Sequence, residues 1–134
     1  MRKTIVACVE DLFFRSKIEA TARHLNVPLV FKTVGELPDA LREGAAALLL
    51  ELSSNGKTLD AVRHLREQPA TRELPIVGFL SHVDRDLARQ AESAGVTRVL
   101  PRSQFSETLP DLVMDLLAPG TKREIPEEPE LPDE

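Results

Sequence analysis

Acidic side chains follow two of the apolar runs in this sequence, at the point where each run ends. Glu10 and Asp11 come directly after TIVACV, and Glu51 follows the leucines of ALLLEL. Farther along the chain, Arg102 follows the short run TRVLP. Carboxylates that meet in a partly desolvated site repel one another, so they require a cation or a raised pKa. A hard divalent metal or the guanidinium of Arg102 would supply the compensating charge.

The elements that must position these residues follow from the hydrophobic pattern. Five apolar runs predict buried strands, at 4–9, 29–34, 46–52, 74–80 and 97–101. Apolar residues at helical spacing predict helices at 13–25, 36–43, around 59–65, 84–94 and 106–117. Asp84 is a suitable N-cap and Gly95 a suitable C-cap for the fourth helix. Because continuous apolar strands alternate with amphipathic helices, we expect an α/β fold whose parallel sheet is covered on both faces.

The length of the chain and the right-handedness of crossovers favour one topology. They predict a flavodoxin-like (βα)5 fold, a doubly wound parallel sheet with the strand order 2-1-3-4-5. In such sheets the functional crevice lies beyond the carboxyl ends of the strands, near the switch point between strands 1 and 3. Glu10, Asp11 and Glu51 should therefore meet at this crevice, with Leu80, Ser81 and Arg102 nearby.

Composition limits the function classes. A chain of 134 residues predicts one domain, which we place at 1–118. The remaining segment, 119–134, holds six acids, two bases and regular prolines, which predicts a disordered tail that acts as a solvating segment or as a docking peptide. Without that tail the chain has 16 acidic and 15 basic residues and few aromatics, so we expect no nucleic-acid partner.

The sequence also lacks the features of several other protein classes. A single cysteine, Cys8, excludes an intramolecular disulfide and a zinc site of several cysteines. No run is long enough to cross a membrane, and the N-terminus is not typical of a secretory signal, so we expect a cytosolic protein without a membrane partner. No serine has a recognisable His–Asp arrangement, and the phosphate-binding glycine motifs are missing, so an enzyme is not predicted.

Together these features resemble the receiver domain of bacterial two-component response regulators. The likeness covers residues 3–118 and rests on the β/α order and several short matches: Glu10-Asp11, ALLLEL, LPIVGFLSH and AGVTRVL. The resemblance implies that Glu10 and Asp11 correspond to the acidic pair that helps bind Mg²⁺. It also puts Glu51 at the position of the phosphoacceptor aspartate. A metal set of Glu10, Asp11 and Glu51 follows from the same comparison.

The sequence departs from the receiver pattern at the chemical positions. Leu80 stands where receivers have a serine or threonine, and Ser81 comes one residue late. Arg102 replaces the usual lysine, and Val99 lies where an aromatic residue is expected nearby. Glutamate carries one more methylene than aspartate, which displaces its oxygen from the position that in-line phosphoryl transfer requires. The extra length would let Glu51 reach Arg102 and form a charge-assisted pair.

The leading hypothesis is therefore an atypical receiver-like module that acts by protein–protein contact, without phosphorylation and without a cofactor. By resemblance its partner surface, or a homodimer interface, would lie at 84–117. One alternative is an active single-domain receiver that accepts a phosphoryl group on an acid such as Asp11 with Mg²⁺. Another is a different flavodoxin-like domain that binds a ligand or regulates a sigma factor.

Simpler roles also remain open for the same residues. Glu51 could be a solvent-facing strand end. Glu10 and Asp11 could be only a favourable charge pair at the start of a helix. Arg102 could pair with an acid and bind no ligand.

Overall fold

A computed structural model describes residues 4–53, 56–80 and 84–117. Ser81 and the segment 119–134 lie outside the described residues, so the predictions for them stay predictions. The elements, in chain order, are β1 (Ile5–Cys8), α1 (Leu12–His24), β2 (Leu29–Phe31), a 3₁₀ turn (Val34–Glu36), α2 (Leu37–Arg42), β3 (Ala47–Leu52), α3 (Lys57–Glu67), β4 (Ile76–Leu80), α4 (Arg85–Ala94), β5 (Arg98–Pro101) and α5 (Arg102–Leu117).

The sheet has the predicted topology. All strand pairs are parallel, and the order across the sheet is β2-β1-β3-β4-β5. The switch point therefore falls between β1 and β3, where Cys8 is in register with Leu50. Because β1 and β3 end side by side, the loop after β1 lies next to the end of β3, and this juxtaposition positions the candidate site.

Alternate residues of the strands fill two separate cores. Leu48, Leu50 and Leu52 of β3 face α2, α3 and α4, and they pack there with the buried residues of those helices. Leu49 faces the other side, where α1 and α5 cover the sheet. This alternation is the period-two geometry of a strand buried on both faces. Gly78 of β4 lies against the Leu52 side chain, which a Cβ at that position would approach to 2.9 Å.

Local capping chemistry fixes several helix ends. The Asp84 side chain accepts a hydrogen bond from the Leu87 N–H at 3.0 Å, and Gly95 ends α4 with φ at +119°. Both predictions are confirmed. Thr33 and Glu36 form a capping box before α2, in which the Thr33 N–H donates to the Glu36 carboxylate at 2.9 Å. This contact lowers the pKa of Glu36, through the backbone N–H first and the hydroxyl second.

Two predicted boundaries differ from the structure by three residues or more. β2 ends at Phe31 rather than at residue 34, because the capping box turns the chain at Thr33. α5 begins at Arg102, four residues before the predicted start at Ser106, and Pro110 lies inside the helix. Proline costs a helix one hydrogen bond at an interior position, whereas the helix formers Arg102 and Gln104 allow the earlier start. Arg102 is consequently the first residue of a helix.

Candidate functional site

The carboxylate of Glu51 is held by the loop that follows β1. Its Oε1 atom accepts hydrogen bonds from the backbone N–H of Glu10 at 2.8 Å and from that of Asp11 at 3.2 Å. Glu51 is half-buried, and it lies in register with Phe79 of β4. A carboxylate oxygen that accepts two backbone N–H groups makes charge-assisted hydrogen bonds, which are shorter and stronger than neutral ones. Glu51 therefore ties the end of β3 to the start of α1, and it is more than a solvent-facing strand end.

Asp11 has a structural role of its own. It is the N-cap of α1, and its Oδ1 atom accepts a hydrogen bond from the Phe14 N–H at 3.1 Å. This satisfies one of the backbone donors that the first turn of a helix leaves unpaired, and it sets a negative charge at the positive end of the helix dipole. Glu10, one residue earlier, is exposed. The two acidic residues therefore have different roles: Asp11 caps α1, and Glu10 is a surface carboxylate.

Arg102 lies over an aromatic ring at the same edge of the sheet. Its guanidinium carbon is 5.3 Å from the centroid of the Phe14 ring, within the range of a cation–π interaction. Because Asp11 caps the helix turn that carries Phe14, both charged side chains engage the first turn of α1. The direct contact between Arg102 and Glu51 that the sequence suggests stays a prediction.

The remaining positions of the predicted site are apolar. Leu80, the last residue of β4, is 1 % exposed, and it packs into the core on the side of α2, α3 and α4. Val99 of β5 is buried in the same core. Neither side chain presents a hydrogen-bonding group to the crevice. Ser81, the nearest hydroxyl in sequence, lies outside the described residues.

The metal set predicted from the sequence has limited geometric support. Within residues 4–53, 56–80 and 84–117, no group of three or more His, Cys, Asp or Glu side chains is arranged to hold a metal ion. One oxygen of Glu51 points to backbone N–H groups, and one oxygen of Asp11 caps α1. If Mg²⁺ binds here, Glu10, Asp11 and Glu51 would hold it through their other oxygens, which are suitable ligands for a hard cation.

Cys8 lies beneath this site with an altered acidity. Burial of the thiol, together with the negative charges of Glu10 and Glu51, raises its pKa from an ordinary 9.0 to about 11. The thiol is therefore protonated at neutral pH. Since the thiolate is the reactive form, Cys8 is a poor nucleophile in the folded protein.

Cys8 gives a testable dependence of stability on pH. Below pH 9 the thiol is protonated in both states; between pH 9 and about 11 it loses its proton only when the chain unfolds. The unfolded state then binds fewer protons, so the free energy of unfolding should fall as pH rises through this window. Urea unfolding of the native protein and of Cys8→Ala should show this fall only in the native protein, as a difference that grows between pH 9 and 11. Parallel pH profiles of the two proteins would contradict the assignment.

Two large apolar residues beside the site are exposed, which the sequence analysis did not anticipate. Leu12 and Phe13 are 76 % and 62 % exposed, and with Val30 they are the exposed large apolar side chains of the described residues. The sequence pattern already contained this information, because both residues lie off the face of α1 formed by Phe14, Ile18 and Ala22.

No helix among the described residues is long and apolar enough to span a membrane.

Solved structures of response regulators have the same fold. One from Hahella chejuensis superposes with a TM-score of 0.77 at 15% identity, over 90% of this chain and 99% of that one. The phosphorylated cyanobacterial phytochrome response regulator RcpA gives 0.75 at 15% identity, over 90% and 98%. A putative response regulator from Chloroflexus aurantiacus gives 0.74 at 18% identity, over 88% and 99%. The fold of this chain is therefore that of response regulator receivers. No protein-family model and no curated protein matches the sequence.

Proposed function

We propose that this chain is a receiver-like signalling module that acts by protein–protein contact and does not use phosphorylation. The fold supports the first part of the proposal, since the similar solved structures are response regulators that align over nearly their whole length. The second part depends on the candidate site. By resemblance to the receiver pattern, Glu51, Leu80 and Arg102 stand at the acceptor, hydroxyl and lysine positions.

The observation that carries the proposal is the pair of hydrogen bonds to Glu51. An acceptor carboxylate must direct an oxygen in line with the incoming phosphoryl group, and a displacement of about 1 Å is costly for such a reaction. In Glu51 the longer side chain is bent onto the N–H groups of Glu10 and Asp11. The carboxylate therefore stabilises the β1–α1 loop at the switch point.

The surface at 84–117 remains the proposed contact region, and its exposed residues define what kind of contact it would make. On α4 the exposed side chains are polar, and Asp86 forms an exposed ion pair with Arg89 at 2.5 Å. On α5 Glu107 and Asp111 are exposed. A partner or a second copy of this chain that binds here would meet mixed charges, so we expect the association to weaken with rising salt.

Incubation with acetyl phosphate and Mg²⁺, followed by measurement of the intact mass, tests the proposal. We expect no mass gain, because the additional methylene of Glu51 displaces its carboxylate, one oxygen of which accepts two backbone N–H groups, and because Leu80 offers no hydroxyl. An active receiver of known competence serves as the positive control for the reagent. A mass gain of one phosphoryl group that is labile to acid and is removed by hydroxylamine, as expected of an acyl phosphate, would overturn the proposal. Loss of that gain in Asp11→Asn would identify the alternative, an active receiver that uses Asp11.

A further inference from the structure

Two adjoining grooves lie at the edge of the sheet opposite the candidate site, where β3 and β4 begin and α5 ends. The first, the apolar groove, has a volume of about 280 Å³ and lies among the residues that precede β3, those that precede β4 and the last turn of α5. The second, the basic groove, has a volume of about 360 Å³ and lies between α2 and the end of α3. Pro69 and Ala70 line both grooves, so a chain segment that fills one reaches the other directly.

Apolar side chains at the margins of the two cores form the wall of the apolar groove. Five of them are half-buried: Ala45, Ala46, Leu74, Leu116 and Leu117. The first and third pack against one core, and the other three pack against the other. Among the described residues, Glu73 is the one charged side chain that lines this groove. Covering the wall with another apolar side chain would remove both surfaces from water, which is favourable.

Hydrogen-bond donors line the basic groove. Arg42, His64 and Gln68 contribute side chains that can donate to a carboxylate, and no acidic side chain of the described residues lines this groove. Arg42 forms an exposed ion pair with Asp39, one turn earlier on α2. Because exposed ion pairs are weak, this pair leaves Arg42 able to contact a second carboxylate. The two grooves together suit a segment in which acidic residues follow an apolar one.

The segment 119–134 continues from this edge of the sheet. It lies outside the described residues, and the last described residue, Leu117, lines the apolar groove. Pro119-Gly120 favours a turn just after α5. Ile125, the first large apolar residue after Leu117, is eight residues farther on, a span of up to about 26 Å when extended. Ile125 can therefore reach the groove, and closing so short a loop costs less entropy than binding a separate chain.

The order of residues in the segment matches the order of the two grooves. Residues 122–124 (two bases and one acid) precede Ile125, and residues 127–130 include three acids. With Ile125 in the apolar groove, the bases would lie toward Glu73 and the later acids toward Arg42. Prolines on both sides of Ile125 limit the conformations of the free segment, which lowers the entropy lost on binding.

We propose that the segment 119–134 binds back onto its own domain, with the Ile125 side chain in the apolar groove and the acids that follow it at the basic groove. A partner that recognises Ile125 must first displace it, so the domain controls access to the segment. The inference goes beyond the proposed function and does not depend on whether Glu51 accepts a phosphoryl group.

A nitroxide label on Glu124→Cys in the full-length protein tests the contact, through the broadening of amide signals near the label. The native thiol, Cys8, is 6 % exposed, so the label attaches to the introduced cysteine. We expect strong broadening at Ala45 and Ala70, and much weaker broadening at Asp11 on the opposite edge of the sheet. Uniform broadening at all three positions, or none at Ala45 and Ala70, would overturn the proposal.

Two substitutions in the labelled protein separate docking of Ile125 from mere proximity of the segment. Ile125→Asp should lower the equilibrium constant for docking about tenfold, because the apolar side chain is lost from the groove, and the broadening should fall accordingly. Leu131→Asp makes the same kind of change six residues farther along and should leave the broadening unchanged. Unchanged broadening in Ile125→Asp, or an equal loss in both variants, would contradict the proposal.

A matched pair of arginine substitutions tests the basic groove. Arg42→Gln should weaken docking roughly twofold to fivefold, the range for an exposed ion pair. Arg63→Gln breaks the equivalent pair with Asp60 on α3 and lines neither groove, so it should have no effect. Equal effects of the two substitutions would contradict the placement of the acids at the basic groove.

A mixture of labelled protein without nitrogen-15 and unlabelled protein enriched in nitrogen-15 distinguishes the occupant of the groove. We expect no broadening at Ala45 or Ala70 in the mixture, because the segment docks within its own chain. Broadening there would assign the groove to the segment of a second copy and overturn the proposal.

Discussion

Replacing Phe79 with alanine is expected to lower the free energy of unfolding by about 3–5 kcal/mol, as for other buried phenylalanines. Phe79 lies in the central part of the sheet on β4 and is fully buried. Its ring stacks on Phe105 of α5 at 4.3 Å between centroids and contacts Phe14 of α1 at 4.7 Å. These three rings join the sheet to both helices of one face, so the truncation would leave a cavity that neither helix can easily fill.

Urea unfolding followed by far-ultraviolet circular dichroism measures this effect, and Phe13→Ala is the matched control. Phe13 has the same side chain, lies next to Phe14 in α1 and is 62 % exposed. Surface substitutions usually change stability by no more than about 0.5 kcal/mol, so Phe13→Ala should have a small effect. Equal losses in the two variants would show that the aromatic cluster does not carry the stability of this face.

The architecture could be predicted because its signals are local and redundant. Each parallel strand is an apolar run long enough to be distinguished from its amphipathic neighbours, and right-handed crossovers leave few ways to order five of them. The cap residues Asp84 and Gly95 were also found from sequence, since a capping residue acts on the backbone within a few positions of itself. At these helix ends, the caps predicted from the sequence are the caps of the structure.

Element boundaries failed where two local signals competed. The apolar pattern predicted a helix that starts at Ser106, yet the helix formers Arg102 and Gln104 extend α5 back to the end of β5. Thr33 and Glu36 carry the sequence signature of a capping box, a signal that was present and overlooked. In both cases the error shifts residues between strand, turn and helix at the edge of the sheet that carries the site.

Most polar contacts of Arg66 and Glu51 could not be predicted, because the partner group belongs to the backbone. Arg66 of α3 donates through its guanidinium to the carbonyls of Gly95 at 2.9 Å, Thr71 at 3.0 Å and Arg72 at 2.9 Å. Burial accordingly lowers its pKa. Backbone carbonyl and N–H groups occur at nearly every residue. The sequence therefore identifies the arginine that donates but does not identify the carbonyl groups that accept its hydrogen bonds. The same limit applies to Glu51, whose position was predicted and whose hydrogen-bond partners were not.

Substitutions at Glu51 therefore test the contact that sequence could not show. Glu51→Ala leaves the N–H groups of Glu10 and Asp11 without their carboxylate acceptor. We expect the free energy of unfolding to fall by about 1.5–3 kcal/mol, the range for hydrogen bonds to a charged group. Glu107→Ala, which removes an exposed carboxylate on α5, should change stability by no more than about 0.5 kcal/mol.

The size and the charge of the side chain at position 51 separate its two contributions. Glu51→Gln keeps the length and one acceptor oxygen but loses the charge, so it should retain part of the stability. Glu51→Asp keeps the charge but is shorter by one methylene, a carbon–carbon bond length of about 1.5 Å. Its carboxylate should therefore protect the two N–H groups poorly. Amide hydrogen exchange at Glu10 and Asp11 reports this directly: exchange should accelerate most in Glu51→Ala, nearly as much in Glu51→Asp, and least in Glu51→Gln. If the aspartate variant protects both amides as well as the native glutamate does, the additional methylene does not hold the loop, and the case for a fixed module in place of a phosphorylated switch loses its structural basis.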